Sequence, residues 1–217
     1  MLAGCNGAGK SSIGGAAFRA AGTDYFNPDE AARAILALNA SRASISQELA
    51  NSAAWAEGKR LLEGAIRERR NFAFETTLGG HTIADLLLAA CEAGIEVHIW
   101  FAGLETIEMH VERVKQRVAK GGHDIPERKI RERFDRGREN LIRLLPHITS
   151  LRLFDNSTPA DPALGQPPQP RLLLEMLRGQ INAPRALQTL LEQAPDWAKP
   201  IVTAALKHHL RQRGLCA

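Results

Sequence analysis

The sequence predicts an α/β fold in which a parallel β-sheet is covered by helices on both faces. Segments rich in β-branched and aromatic residues alternate with segments of helical periodicity along most of the chain. Strands that alternate with helices form parallel sheets, and such sheets bind ligands at the carboxyl ends of their strands. A glycine-rich stretch, "GCNGAGKSS", follows a short apolar stub and precedes a predicted helix. Together these observations indicate a three-layer αβα sandwich of the P-loop NTPase type.

The composition is that of a globular protein of 217 residues, long enough for one domain and an appendage. Hydrophobic residues make up 44% and charged residues 24%, which indicates neither disorder nor a membrane protein. No apolar run approaches the length of a membrane span, and the first residues lack the pattern of a signal peptide. The three cysteines are far apart and lack zinc-site spacing. We therefore expect a cytoplasmic protein that contacts no membrane.

The predicted elements divide the chain into three parts. Asn27 and Pro28 mark a helix start, because asparagine caps a helix and proline fits its first position. A first domain is expected over residues 1–158, a proline-rich linker over 159–170 and a helical extension over 171–217. The predicted strands of the first part end at residue 3 and cover 71–76, 95–103 and 150–157, and its predicted helices include 10–21, 45–70, 81–94 and 127–145.

The glycine-rich stretch has the spacing of a phosphate-binding loop: Gly4, four residues, then Gly9, Lys10 and Ser11. Glycines allow backbone N–H groups to point at phosphates, and the following helix adds the positive end of its dipole. We expect Lys10 to reach the β- and γ-phosphates of a nucleoside triphosphate and Ser11 to bind Mg²⁺. The predicted nucleotide-binding residues are Gly4, Asn6, Gly7, Ala8, Gly9, Lys10, Ser11 and Ser12.

Polar residues follow three further predicted strands and are candidates for substrate contacts. Asp29 is either the general base for an acceptor hydroxyl or a residue that stabilises the helix start. Glu75 either binds a ligand at the strand end or lies on the surface. Thr76 and Thr77 either bind substrate or cap the next turn. Asn156 either contacts the base of the nucleotide or forms a turn.

A strongly basic segment predicts a lid over the phosphates. Between Arg113 and Arg143 the chain carries eleven basic and five acidic residues, and Gly121 and Gly122 interrupt the helical pattern within it. Arginines that close on a transferred phosphate stabilise its charge and exclude water. The predicted catalytic cations are Arg117, Arg131 and Arg133, with most of the other basic residues solvated. Nucleic-acid binding is disfavoured, because aromatic residues, which would stack on bases, make up only 5% of the chain.

Several motifs together resemble the zeta toxin family of P-loop kinases. These are "GCNGAGKSS", "FNPDE", "FETTL", "ERVKQRVAKGGHDIPERKIRERF" and "LFDNS", in that order and spacing. The resemblance runs from the first residues to about residue 157. The long lid segment makes it specific, since a phosphate loop alone is common to many unrelated NTPases.

The resemblance implies that the domain over residues 1–158 is a small-molecule kinase, for which an antitoxin protein is a candidate partner. Characterised zeta toxins transfer phosphate from ATP or GTP to the 3′ hydroxyl of a UDP-N-acetylhexosamine, and UDP-N-acetylglucosamine is the expected acceptor here. Lys10 and Ser11 match the residues that hold phosphate and metal, and Asp29 matches the base. Glu75 matches a glutamate that binds the acceptor. Lid arginines match those that steady the transferred phosphate.

The acceptor remains open at this stage. Founding toxins carry a glycine in an "EGT"-like motif, whereas this chain has "ETT" from Glu75 to Thr77, so its acceptor pocket differs. A kinase for another metabolite explains the loop, the base and the lid equally well. A third hypothesis is a non-catalytic regulator that binds nucleotide or RNA, for which RNA binding would depend steeply on salt.

Overall fold

The computed structural model describes residues 1–15, 18, 25–39, 45–158 and 169–215. Its strands are, in chain order, β1 (Leu2–Ala3), β2 (Tyr25–Phe26), β3 (Ala73–Thr76), β4 (His98–Gly103), β5 (Ser150–Asp155), β6 (Arg171–Leu177) and β7 (Gln180–Ala183). Its helices are the π-helical segment α1 (Ser11–Gly15) and α2 (Pro28–Asn39), α3 (Gln47–Glu68), α4 (His81–Glu92), α5 (Ile107–Ala119), α6 (Glu127–Leu144), α7 (Leu190–Gln193) and α8 (Lys199–Gln212).

The strands of these described residues form one sheet in the order β2-β3-β1-β4-β5-β6-β7. The first five strands are parallel, which confirms the predicted α/β fold. Leu2 of β1 lies opposite Glu75 on one side and Trp100 on the other. Gly103 pairs with Asp155 at the last register position of β4 and β5. The carboxyl ends of the central strands therefore meet at one edge, where the glycine-rich loop leaves β1.

Local side-chain contacts explain where two predicted helices begin. The Asn27 side chain accepts hydrogen bonds from the backbone N–H groups of Asp29, at 2.9 Å, and Glu30, at 3.3 Å. Ser46 caps α3 in the same way by accepting from Leu49 at 3.2 Å. These caps satisfy N–H groups that have no partner within the helix. Because of its Asn27 cap, α2 presents Asp29 in its first turn, at the edge of the sheet.

The central strands share one apolar core with α3, α4, α6, α7 and α8. Ile99 of β4 and Leu151 of β5 are fully buried, and they belong to the same cluster as Leu141 of α6 and Ile201 of α8. Burial of apolar surface is the main favourable contribution to folding. The core therefore joins the predicted kinase domain and the C-terminal segment.

The prediction that residues 171–177 are helical is wrong. They form β6, which pairs antiparallel with β5 and continues through a two-residue turn into β7. Arg178 and Gly179 both have positive φ angles, +47° and +76°, as a tight type I′ hairpin turn requires. Periodicity alone does not distinguish a short apolar run in a strand from one in a helix. Leu174 and Met176 of this run are fully buried in the core.

Residues 180–183, also predicted to be helical, form the strand β7. The helices α7 and α8 follow in the same segment. Most of the predicted linker over 159–170 lies outside the described residues, as do residues 16, 17 and 19–21 of the helix predicted over 10–21. No helix in the described part of the chain combines the length and apolar character that a bilayer span needs.

Candidate active site

The glycine-rich loop lies between β1 and α1 at the carboxyl edge of the sheet. Gly7 and Gly9 have φ angles of +82° and +78°, which other residues rarely adopt. A Cβ atom at position 7 would lie 2.7 Å from the backbone oxygen of His110. Both positions therefore need glycine, and α5 packs directly against the loop.

The Lys10 side chain folds across the start of this loop. Its Nζ donates to the backbone oxygens of Gly4, at 3.0 Å, and Cys5, at 3.4 Å. These carbonyl contacts hold an ammonium group beside the loop, where it attracts phosphate oxygens. The neighbouring Ser12 donates its backbone N–H to Gly9, which starts the helical segment after the loop.

Ser11 and Glu75 meet at the end of the two central strands. The Ser11 hydroxyl donates to Glu75 Oε1 at 2.9 Å, and the Tyr25 hydroxyl donates to the same oxygen. Glu75 is only 8% exposed, so it is not a surface residue. The pairing of β1 with β3 places it beside the loop. Hydroxyl and carboxylate oxygens are ligands that Mg²⁺ prefers, so this pair fits a magnesium site next to the phosphates.

The Asp29 carboxylate lies against the lid. Arg117 Nη1 is 3.2 Å from Asp29 Oδ2, and the His123 Nε2 atom is 3.9 Å from Asp29 Oδ1. Arg117 Nη2 also donates to the backbone oxygen of His123 at 3.3 Å. Burial lowers the pKa of His123, so its imidazole is neutral at pH 7. The predicted base and one predicted lid arginine are therefore brought together.

The three predicted lid arginines occupy different environments. Arg133 Nη1 donates to the Asn6 side chain of the loop at 2.9 Å. Arg131 instead pairs with Glu127, at 2.8 Å, and Glu108, at 3.2 Å, on an exposed surface. The break predicted between the two lid helices is present, since α5 ends at Ala119 and α6 begins at Glu127. The structure thus joins Arg117 and Arg133 to the candidate site but gives Arg131 other partners.

Thr76 and Thr77 shape the turn that follows β3. The Thr76 hydroxyl accepts a hydrogen bond from the backbone N–H of Leu78 at 3.0 Å. The Thr77 hydroxyl accepts one from Gly79 at 3.4 Å. Asn140 of α6 secures the same turn, because its Nδ2 donates to the Leu78 carbonyl oxygen at 2.7 Å. These contacts correspond to the capping role for both threonines.

Asn156 lies beneath the loop and is 2% exposed. Its Nδ2 donates to the backbone oxygen of Ala8 at 2.9 Å, and its own backbone oxygen accepts from Arg113 at 2.8 Å. The side chain therefore supports the backbone of the phosphate loop. This contact differs from the predicted contact with a nucleotide base.

His110 is a site residue that the sequence analysis missed. It is fully buried, and its Nδ1 donates to the backbone oxygen of Asn6 at 2.7 Å. Burial is the main cause that lowers its pKa to about 4. The signal was its position: His110 lies on the same helical stripe as Val111 and Val114, both buried.

Comparisons with known proteins bear on the family and the fold of the chain. A sequence model described as Zeta toxin matches residues 1–156. A chain from the crystal structure of AvrRxo1-ORF1:-ORF2 with ATP superposes with a TM-score of 0.65 at 17% identity, over 90% of this chain and 63% of that one. A second crystal structure, of AvrRxo1-ORF1:AvrRxo1-ORF2 with sulphate ions, gives a TM-score of 0.64 at 16% identity, over 96% of this chain and 75% of that one.

One relative is also similar in sequence. An uncharacterised protein of Haemophilus influenzae is 35% identical over 74 residues, which are 34% of this chain. The match spans about half, 53%, of that protein's length.

Proposed function

Because this chain belongs to the Zeta toxin family, we propose that it is a kinase that uses ATP or GTP to phosphorylate a hydroxyl group of a nucleotide sugar such as UDP-N-acetylglucosamine. The observation that carries the proposal is the pairing of Arg117 with Asp29 at 3.2 Å. This contact joins a lid cation to a carboxylate at the edge of the sheet that carries the phosphate loop. Phosphoryl transfer needs both groups close to the triphosphate.

The loop and its neighbours would hold the donor. Gly4, Asn6, Gly7, Ala8, Gly9 and Ser12 contribute the loop, with Lys10 on the phosphates. Ser11 and Glu75 would hold Mg²⁺, which neutralises charge on the β- and γ-phosphates when bound. A fold neighbour whose crystal contains ATP supports ATP as the donor. Asn156 would affect nucleotide binding indirectly, because its hydrogen bond to the Ala8 carbonyl supports the loop.

Asp29 would orient the acceptor hydroxyl and accept its proton. In the present structure both of its oxygens face lid residues, Arg117 and His123. For transfer, Arg117 would shift from the carboxylate to the phosphate being transferred, where a guanidinium stabilises developing charge. Arg133, which already contacts Asn6, would stabilise the same phosphate from the loop side. Arg131 is left with a surface role, since two carboxylates hold it.

The charge around Asp29 supports an anionic acceptor. Arg33 donates to the Asp29 backbone oxygen at 3.3 Å, and Arg117 lies on its carboxylate. Two guanidinium groups here would attract a diphosphate linkage. A kinase for another phosphorylated metabolite is the second candidate, because Thr76 stands where the founding toxins have glycine. Thr76, Thr77 and Glu75 would then shape the acceptor pocket.

We further propose that a partner protein of antitoxin type controls the activity in the cytoplasm. The fold neighbours were crystallised as complexes of two products, AvrRxo1-ORF1 and AvrRxo1-ORF2. This supports a protein partner for the present chain.

A transfer assay tests the proposed activity. Purified protein is incubated with Mg²⁺, γ-labelled ATP and UDP-N-acetylglucosamine, and the label is followed by mass-resolved chromatography. We expect label on the sugar nucleotide and loss of transfer by about a hundredfold or more in Asp29→Asn, which keeps the shape but not the basicity. Glu30→Gln, the exposed neighbour, serves as the matched control and should transfer normally. If the label reaches another metabolite instead, that metabolite replaces UDP-N-acetylglucosamine as the proposed acceptor. If no acceptor is labelled, the proposed kinase activity is rejected.

A further inference from the structure

Two buried side chains donate hydrogen bonds to the back of the phosphate loop. His110 Nδ1 donates to the Asn6 carbonyl oxygen at 2.7 Å, and Asn156 Nδ2 donates to the Ala8 carbonyl oxygen at 2.9 Å. His110 comes from α5 and Asn156 follows β5, so the donors reach the loop from two different elements. Both side chains are nearly or completely buried, which strengthens hydrogen bonds by excluding water.

The geometry of the peptide bond converts these contacts into a constraint on N–H groups. The Asn6 carbonyl and the Gly7 N–H belong to one planar trans peptide unit and point in opposite directions. The Ala8 carbonyl and the Gly9 N–H are related in the same way. Because the two carbonyls are held toward α5 and the end of β5, the N–H groups of Gly7 and Gly9 are directed away from those elements. Backbone N–H groups that face a ligand site in this way bind anions.

The two hydrogen bonds matter because a peptide unit next to glycine can easily rotate to the opposite orientation. Gly7 and Gly9 follow the two held carbonyls, and both adopt positive φ angles. Glycine populates positive and negative φ about equally, so the loop backbone alone does not fix which way these peptides face. Contacts from outside the loop are needed to select one orientation before a ligand binds.

The environment of His110 makes it a fixed donor. Burial lowers its pKa to about 4, so the ring is neutral at pH 7 and carries one N–H. The Asn6 carbonyl only accepts, and therefore the proton lies on Nδ1. Phe134 of α6 contacts the ring edge with a centroid distance of 5.4 Å, which holds its orientation. Gly7 is in turn backed by the His110 backbone.

We propose that His110 and Asn156 are positioning residues that preset the Gly7 and Gly9 N–H groups for the phosphates of the nucleotide. The inference rests on the proposed nucleotide site and explains how the loop of that site is ordered before the nucleotide binds. Neither side chain touches the nucleotide; each acts through a peptide of the loop. Their loss would weaken binding of the triphosphate, because part of the binding free energy would be spent on ordering the loop.

Two substitutions at position 110 separate the hydrogen bond from packing. In His110→Asn, the amide nitrogen takes the place of Nδ1 and can still donate to Asn6. In His110→Leu, a side chain of similar size lacks a donor. Binding of ATP with Mg²⁺ is measured by calorimetry, without any acceptor. We expect His110→Leu to bind about tenfold more weakly or worse, and His110→Asn to remain within about threefold of the wild type.

Asn156→Asp provides a second test that keeps the side-chain shape. A carboxylate cannot donate to the Ala8 carbonyl, so ATP affinity should again fall about tenfold or more. Thermal unfolding of each variant shows whether the fold is retained, and Asn156→Asp decides the question if His110→Leu does not fold. In the transfer assay, the KM for ATP should rise in the donor-deficient variants while kcat and the KM for the acceptor change little.

The outcomes distinguish this inference from the proposed function. Equal ATP affinity of folded His110→Leu and His110→Asn, with normal affinity in Asn156→Asp, would overturn the positioning role. If the wild-type protein binds ATP but phosphorylates nothing, the kinase is rejected while the binding comparison still decides the inference. If the wild type binds no triphosphate, both are overturned.

Discussion

At the scale of single residues, the site depends on which partner each charged side chain takes. Arg117 and Arg131 belong to the same basic segment, yet one contacts Asp29 and the other contacts Glu108 and Glu127. An exposed ion pair contributes little to stability, whereas a cation on a reacting phosphate contributes strongly to the rate. Partners, and not residue type, therefore separate the arginines at the candidate site from those on the surface of this chain.

This difference gives a direct prediction for the lid. Arg117→Lys keeps the charge but loses the planar guanidinium, so we expect kcat to fall by about a hundredfold or more. Arg131→Lys, the matched control, should change kcat by less than about twofold. Steady-state transfer kinetics measure both. Comparable losses in the two variants would return Arg131 to the catalytic set.

Glu75 offers a second test at this scale, because its contact with Ser11 favours metal binding over acceptor binding. Glu75→Gln should raise the Mg²⁺ concentration needed for half-maximal activity by about tenfold, since a charged oxygen is lost beside the metal. Activity is titrated with Mg²⁺ at saturating ATP and acceptor. If the KM for the acceptor rises instead and the Mg²⁺ requirement is unchanged, Glu75 binds the acceptor, as the family resemblance implied.

At the scale of elements, the hairpin β6–β7 extends the parallel sheet with two antiparallel strands. Leu174 and Met176 of β6 are buried in the same core as β4 and β5, whereas Leu172 is 42% exposed. The C-terminal segment therefore contributes to the core of the domain that carries the site. A boundary between a kinase domain ending at 158 and an independent extension remains a prediction.

The shared core predicts different costs for two leucines of the same strand. Leu174→Ala should lower the free energy of unfolding by about 2–5 kcal/mol, because it leaves a cavity in a packed core. Leu172→Ala, two residues earlier in the same strand, should lower it by at most about 1 kcal/mol, because the Leu172 side chain is exposed. Urea unfolding monitored by circular dichroism measures both. A small effect of Leu174→Ala would indicate that β6 packs only loosely on β5.

At the scale of the whole molecule, the loop, the lid and the core are coupled through buried polar groups. His110 joins α5 to the phosphate loop, and Asn140 joins α6 to the turn after β3. A buried polar group without its partner costs free energy, so such contacts favour one arrangement of the elements. Because His110 can be protonated, its contact also makes the free energy of unfolding depend on pH.

We predict that acid destabilises the protein partly through His110. Its pKa is about 4 in the folded chain, lowered mainly by burial and further by Lys10, Arg113 and Arg138, against 6.5 when unfolded. Between these values the unfolded state binds the extra proton, so stability falls as pH falls from about 6.5 to 4. The loss at low pH is on the order of 3 kcal/mol.

Urea unfolding of the wild type and His110→Asn between pH 7 and pH 4 measures this contribution. The comparison is needed because burial also lowers the pKa values of His123 and His208, which act with the same sign. The substituted protein should show a shallower pH dependence. Parallel curves for the two proteins would mean that His110 titrates normally in the folded state.

The features that depend on neighbouring residues could be predicted from the amino-acid sequence alone. The glycine loop, the Asn27 cap, the lid break at Gly121 and Gly122 and the alternation of strands and helices are local patterns. They were sufficient for the α/β fold and for the family, because backbone preferences and caps act within one turn of chain.

Which distant side chains are in contact depends on the folded arrangement and could not be predicted from the sequence. Arg133 contacts Asn6 across 127 residues, His110 contacts the same residue across 104, and Ser11 contacts Glu75 across 64. The folded arrangement also decides that residues 171–177 form a strand, because β5 offers an edge on which they bury Leu174 and Met176. Such contacts depend on the packing of whole elements. A pattern along the chain can therefore identify candidate residues, but only the packing shows which of them are in contact.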